Sequence, residues 1–304
     1  MRKIAFGYST RCNIKCSHCV AADDSQQSRP VKMDLERAKE IIREMAEAGV
    51  TGISFTAGEP FIYFDDLLQL IALCHNLQIY SRVVTNSYWA SSPEKAEERL
   101  VKLKDQGLCQ LRMSFSRWHQ QHVPRQNIVH AANGCIKNNI DYYVSFVSDF
   151  SAEDDAYEQF LRDHNLKFFP EPVIYAGRAD GFTQKTLFTD YQDNRCAMNP
   201  YLAPDLTMYA CCDAGSHFTK TNFFKLGNLK DQSIDALFCK SENNQLYNCI
   251  RTMGISTIAS FAGFPAREIV TLRKCELCKK MFDSPDSLKK LEKAAATSLP
   301  GWIR

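Results

Sequence analysis

Apolar and polar positions along the first half of the chain switch repeatedly between a short-run and a helical period. An apolar run at residues 4–8 predicts a strand. The polar stretch 23–32, with Pro30, reads as an exposed connection. Behind Asp34, a capping residue, Leu35, Ala38, Ile41, Ile42, Met45 and Ala46 recur at helical spacing until Gly49, which predicts a helix with its start and stop in place. The run 50–56 then predicts a strand. The alternation continues with helices over 64–75, 93–106, 128–138 and 153–163 and strands over 80–85, 109–115, 142–147 and 167–169. Strand followed by helix about six times favours a parallel sheet, in which ligands gather at the carboxyl ends of the strands. Six units are too few to close an eight-stranded barrel, and the count suits an open partial barrel or a doubly wound sheet. The rhythm stops near 189–194. A first domain at 1–190 and a smaller one at 191–304 are expected.

Composition narrows the partners. With 37 basic and 35 acidic residues mixed along 304 positions, the formal charge is +2, and neither a nucleic-acid stripe nor a membrane-surface field is present. No nucleic acid or membrane is expected as partner, and the substrate should be small or peptidic. No apolar run is long enough for a signal peptide or a membrane span, so a cytoplasmic location is expected. Thirteen cysteines in a reducing compartment argue for metal ligation or catalysis over disulfides.

Three of those cysteines, Cys12, Cys16 and Cys19, share the polar loop after the first strand. Three thiolates can hold three irons of a four-iron cluster and leave the fourth open to substrate or cofactor. Half a zinc site has the same spacing as Cys16 and Cys19, but no Cys or His pair follows closely enough to complete it. About forty residues on comes Thr56-Ala57-Gly58-Glu59-Pro60. Together these segments resemble the radical S-adenosylmethionine (radical SAM) enzymes. The resemblance implies an α/β fold, a partial (β/α)6 parallel barrel with a small C-terminal auxiliary iron-sulfur domain. It also implies a [4Fe-4S] cluster on Cys12, Cys16 and Cys19 whose open iron chelates S-adenosyl-L-methionine, with Gly58 and Glu59 beside the methionine. Asn86, Ser114 and Ser145 resemble cofactor-contacting strand ends of that family, although Asn and Ser also end strands for local reasons. Arg178, within residues 175–179, resembles a family Gly-Arg-Ala segment; it orders cofactor or substrate, or pairs with an acidic neighbour.

The later cysteines resemble a twitch domain, a short form of the SPASM domain. Cys196, Cys211, Cys275 and Cys278 would hold a second [4Fe-4S] cluster, with Cys212 an alternative to Cys211 and zinc a competitor for the same four thiolates. The family pattern places Gly where this chain has Leu206, which weakens the expectation of a hairpin there. Gly227-Asn228-Leu229 before a helix at 234–238 matches the family habit. Short length and a single such domain resemble the aminosugar-modifying members. The expectation is a radical SAM epimerase that inverts a carbon of an aminoglycoside or similar sugar-containing product, with Cys249 returning the hydrogen and a flavodoxin- or ferredoxin-type protein supplying electrons. The alternatives are an aminosugar dehydrogenase, a peptide-modifying radical SAM enzyme, or a non-enzymatic iron-sulfur or zinc protein that senses redox state or carries electrons. Cys74, Cys109 and Cys135 read as core packing, and His119 and His122 as ordinary surface or loop residues.

Overall fold

Residues 1–20, 29–182 and 196–298 are described by a computed structural model. Its first half alternates as the periodicity predicts: β1 (Arg2–Gly7), α1 (Leu35–Glu47), β2 (Val50–Thr56), α2 (Phe64–Asn76), β3 (Tyr80–Thr85), α3 (Pro93–Asp105), β4 (Gln110–Phe115), α4 (Gln126–Lys137), β5 (Asp141–Ser148), α5 (Asp155–Asp163) and β6 (Phe168–Pro172). These six strands pair in parallel, in chain order. All their carboxyl ends therefore face one way, where a parallel α/β fold places its ligands.

Local causes are visible in α1. Asp34 accepts the Arg37 backbone N–H at 3.0 Å, which satisfies one of the four amides a helix start leaves open. Ala38, Ile41, Ile42 and Met45 form its buried stripe against the sheet, each at 0% exposure. In the register of β1 and β2, Phe6 lies opposite Phe55, and their rings meet edge to face with centroids 5.7 Å apart.

The predicted boundaries shift by a few residues. Among the six strands the largest difference is in β6, expected over 167–169 and observed as Phe168–Pro172. Pro170 and Pro172 carry no amide hydrogen and hide the strand in the sequence. They are tolerated because β6 ends the sheet and needs partners only on its β5 side.

After residue 195 three more strands, β7 (Tyr201–Leu202), β8 (Thr207–Tyr209) and β9 (Lys225–Asn228), extend the same sheet. β7 runs parallel to β1, with Ala5 opposite Tyr201, and β8 and β9 continue antiparallel. The boundary expected near 189–194 lies outside the described residues. Six helices follow: α6 (Ile234–Glu242), α7 (Gln245–Thr252), α8 (Ile255–Phe261), α9 (Ala266–Thr271), α10 (Lys274–Phe282) and α11 (Pro285–Ser298). Among the described residues no helix is long and apolar enough to cross a membrane.

The hairpin doubtful without a glycine forms nonetheless. Leu206 takes φ 72°, the Leu206 N–H donates to the Ala203 carbonyl at 2.9 Å, and the Ala203 N–H donates to the Thr207 carbonyl at 2.8 Å. A left-handed leucine costs about 1 kcal/mol or more. Its side chain packs against the main core, which offsets part of that cost.

Two arginines tie the halves together beyond the sheet. Arg2 bonds the Ala48 carbonyl at 2.7 Å and, on α6, Asp235 at 2.5 Å and Glu242 at 2.7 Å. Arg273, 7% exposed at the start of α10, donates to the Val173 carbonyl at 2.7 Å and the Asp149 carbonyl at 3.4 Å. Replacing Arg273 with Met strips two buried carbonyls of a donor and should lower unfolding free energy by about 2–4 kcal/mol. Urea unfolding checks this, and a loss under about 0.5 kcal/mol would show that the contact contributes little.

Candidate functional site

The carboxyl ends of β2 to β6 frame a cavity of about 230 Å³ whose walls include Cys12, Cys16 and Cys19. Every other site residue expected in the first 190 positions, Gly58, Glu59, Asn86, Ser114, Ser145 and Arg178, lines the same cavity.

The cysteine loop is held by backbone contacts. After β2 the chain turns through two left-handed residues, Ala57 at φ 65° and Gly58 at φ 57°. An alanine there costs about 1 kcal/mol or more, a strain of the kind that collects at functional turns. At Gly58 a side chain is excluded outright: a Cβ would run into the Arg11 carbonyl and sit 2.7 Å from the Ser9 carbonyl. That closeness lets the Glu59 N–H donate to the Arg11 carbonyl at 2.8 Å. On the far side, the Arg178 N–H donates to the Cys19 carbonyl at 3.1 Å. Asn86 Nδ2 bridges Asn13 Oδ1 at 2.9 Å and Cys12 Sγ at 3.9 Å. Beneath the loop a second, smaller core gathers Ile14, Cys16, Trp118, Val123, Val173 and Tyr175.

Glu59 is 3% exposed and works as a clasp. Its Oε1 accepts from the Phe61 N–H at 3.2 Å and from Thr85 Oγ1 at 2.8 Å, and its Oε2 accepts from the Asn86 N–H at 2.8 Å. The carboxylate thus joins the ends of β2 and β3. Burial pushes its pKa up to about 7, against the three hydrogen bonds that favour the charged form. Burial likewise pushes the Cys12 thiol up to about 11 and Cys16 up to about 12. A metal centre binding there displaces those protons.

The sequence reading passed over or misplaced several polar residues of the cavity wall. Arg112 of β4 donates to Ser145 Oγ at 2.9 Å and pairs with Glu171 of β6, so a charged pair crosses the floor. His18 and His119 are each 8% exposed and line the cavity, which corrects the expectation of His119 as a surface residue. His122 is exposed, as expected. Cys16 Sγ and one ring nitrogen from each of His18 and His119 lie within 4.8 Å of one another. A histidine in a turn has no periodicity to reveal its burial; the only available signal was its distance of four residues from the β4 carboxyl end.

The later cysteines divide. Burial raises Cys278 well above the ordinary thiol range, with added repulsion from Cys211, Cys275 and Cys196, so these four thiols lie within electrostatic reach of one another. Burial, then Asp213, Cys211 and Cys196 raise the neighbouring Cys212, which lies near the same thiols and also lines the cavity. Its Sγ lies 3.6 Å from Asp213 Oδ2. Cys249, expected to face the substrate, sits at 1% exposure within α7 and packs into the main core; the structure does not bring it to the cavity wall. A second cavity of about 320 Å³ adjoins the first and shares Val20, Thr56, Ala57, Cys212 and Asp213 with it.

The donors fit a thiolate-held cluster. Three cysteines on one loop open onto the cavity, a glycine cradle holds that loop, and His18 Nδ1 is buried inside without a hydrogen-bond partner. Gly58→Ala should force the loop off the β2 end. We expect at least a severalfold drop in iron bound after anaerobic reconstitution, read by elemental analysis, with the helical circular dichroism unchanged. Full iron content in that variant would contradict the clamp.

Residues 7–150 match the model of the Radical SAM superfamily. Over 128 residues the chain is 24% identical to YydG of Bacillus subtilis (strain 168), whose name ties it to peptide biosynthesis; the match covers 42% of this chain and 40% of that one. Over 112 residues it is 30% identical to the PqqA peptide cyclase of Bradyrhizobium diazoefficiens, covering 34% and 26%. The matched stretch thus spans less than half the length of either relative. In fold the chain is similar to anSMEcpe with bound AdoMet, at a TM-score of 0.60, 13% identity and coverage of 98% and 97%. It is also similar to BtrN in complex with AdoMet and 2-DOIA, at a TM-score of 0.50, 13% identity and coverage of 84% and 88%. The matched segment holds the three-thiol loop, the Gly58 turn and the carboxyl ends of β2 to β5, and over it the chain is similar to the radical SAM superfamily.

Proposed function

We propose that the protein is a radical SAM epimerase acting on a peptide, and that Cys212 returns the hydrogen. The observation that carries this reading is the place of Cys212 on the wall shared by the two cavities. Cys12, Cys16 and Cys19 would hold the first cluster, and Cys196, Cys211, Cys275 and Cys278 an auxiliary one. When bound, the first cluster and S-adenosylmethionine supply a 5′-deoxyadenosyl radical.

The chain's own residues do the rest. Glu59, Thr85 and Asn86 fix the strand ends against which the cofactor would lie. Arg112 and Glu171 pair across the floor. Substrate fits the second cavity, between the Tyr201 and Tyr209 rings and the polar groups of Asp205 and His217. A carbon that loses a hydrogen atom on the first-cavity side then meets a thiol on another side. The Cys212 S–H bond breaks, the new C–H bond forms, and the configuration inverts. The sulfur radical left behind takes one electron from a flavodoxin- or ferredoxin-type donor and one proton from solvent water, which restores the S–H that points to Asp213 Oδ2. A peptide is preferred over an aminosugar because the names of both curated relatives concern peptides. Oxidation of the substrate by two electrons is the second reading, favoured by the four neighbouring thiols, which would hold an electron acceptor.

Turnover in deuterated water separates the two. Epimerisation returns a product of unchanged formula with one deuterium at the inverted carbon, whereas oxidation returns a product lighter by two hydrogens. Cys212→Ala should still form 5′-deoxyadenosine but lose the inverted product by at least about 100-fold, while Cys249→Ala inverts normally. Inversion at the unsubstituted rate by Cys212→Ala would sink the assignment.

A further inference from the structure

We infer that Asn86 donates one amide hydrogen to the Cys12 sulfur and thereby raises the reduction potential of the cluster held by the Cys12 loop. The inference rests on the reading of Cys12, Cys16 and Cys19 as ligands and goes beyond it.

The backbone decides which end of the amide faces the loop. The Tyr88 N–H donates to Asn86 Oδ1 at 3.0 Å, so the oxygen is held in the turn and Nδ2 is the atom left to face the cysteines. Nδ2 carries two hydrogens and has two acceptors. They are Asn13 Oδ1 at 2.9 Å and Cys12 Sγ at 3.9 Å, a distance at which sulfur, larger than oxygen, still accepts.

Buried contacts on three sides hold the residue in this attitude. Asn86 is 7% exposed, and its own N–H donates to Glu59 Oε2 at 2.8 Å. Thr85, just before it, donates to Glu59 Oε1 at 2.8 Å and accepts from Trp89 Nε1 at 3.0 Å. From α4, the buried Asn127 donates through Nδ2 to the Ser87 and Tyr88 carbonyls, each at 3.2 Å. The amide is thus aimed by the fold itself, and it meets the sulfur as a fixed dipole.

The consequence is a potential. One-electron reduction by the flavodoxin- or ferredoxin-type donor adds negative charge to the thiolates, so an N–H dipole aimed at one of them stabilises the reduced form more than the oxidised form. Asn13 works the other way, because its Oδ1, 4.0 Å from Cys12 Sγ, turns a negative end toward the sulfur. That difference separates two roles for Asn86. As a clamp on the loop it acts through Asn13, whereas as a positioning residue that tunes the cluster it acts through Cys12.

Redox titration followed by electron paramagnetic resonance tests this in the absence of S-adenosylmethionine, the first cluster being identified beforehand as the signal that changes when S-adenosylmethionine is added. Asn86→Leu should keep the iron content of the unsubstituted protein and show a more negative midpoint. Asn13→Ala, which removes the clamp and leaves the donor to the sulfur, should lower the midpoint by less than half as much, if at all. An Asn86→Leu midpoint at or above that of the unsubstituted protein overturns the inference, and so does an Asn13→Ala lowering at least half as large as that of Asn86→Leu. If Asn86→Leu takes up no iron, Asn86→Asp decides, because it keeps the Tyr88 bond and puts an acceptor where the donor was. Its midpoint should be more negative, and one at or above the unsubstituted value overturns the inference. Failure of the underlying reading looks different: the signal responsive to S-adenosylmethionine would be missing before any substitution, or would survive Cys12→Ala.

Discussion

The close approach of two backbones, Arg11 in the cysteine loop and Gly58 at the end of β2, is the constraint on which the rest of the site depends. A polar loop of nine residues with three thiols has little to fold around by itself. What positions it is the Glu59 N–H donating to the Arg11 carbonyl, a contact that only a residue without a Cβ permits at position 58. The same turn aims the Glu59 carboxylate inward, where it accepts from the β3 end. One turn therefore sets the loop, the floor and the neighbouring strand together. The accompanying strain at Ala57 is small beside the contacts that it makes possible.

Continuity of the sheet gives this arrangement its second half. Because β7 pairs with β1, the short hairpin β7–β8 is seated beside the strand that leads into the cysteine loop. Cys211 and Cys212 follow soon after β8. Cys211 lies near Cys196, Cys275 and Cys278, and Cys212 lines the cavity.

Much of this was legible in the sequence, and the reasons differ by element. Helix α1 announced itself through a cap, a stripe and a glycine stop, all local signals. The parallel order of β1 to β6 followed from alternation, and the cavity residues of the first half followed from their positions at strand ends. β6 was underestimated because prolines, which argue against an interior strand, are harmless at an edge. The Leu206 hairpin was doubted because its cost is local, while the pairing and packing that offset it are tertiary. His119 and Cys212 were misjudged or left open for the same reason: which way an irregular segment turns its side chains is decided by elements far away in the chain. Cys249 illustrates the converse. Its position between cysteines expected to be ligands suggests a role, yet three-dimensional placement in α7 puts it in the core.

Together this loop, this turn and these strand ends are proposed to make a site for reductive cleavage of S-adenosylmethionine. Anaerobic reconstitution with iron and sulfide, reduction, and quantitation of 5′-deoxyadenosine and methionine by mass spectrometry test this directly. Both products should form with the unsubstituted protein, and neither once Cys12, Cys16 and Cys19 are replaced together by Ala. Undiminished 5′-deoxyadenosine from that triple variant, or none from a fully iron-loaded protein, would contradict the proposal.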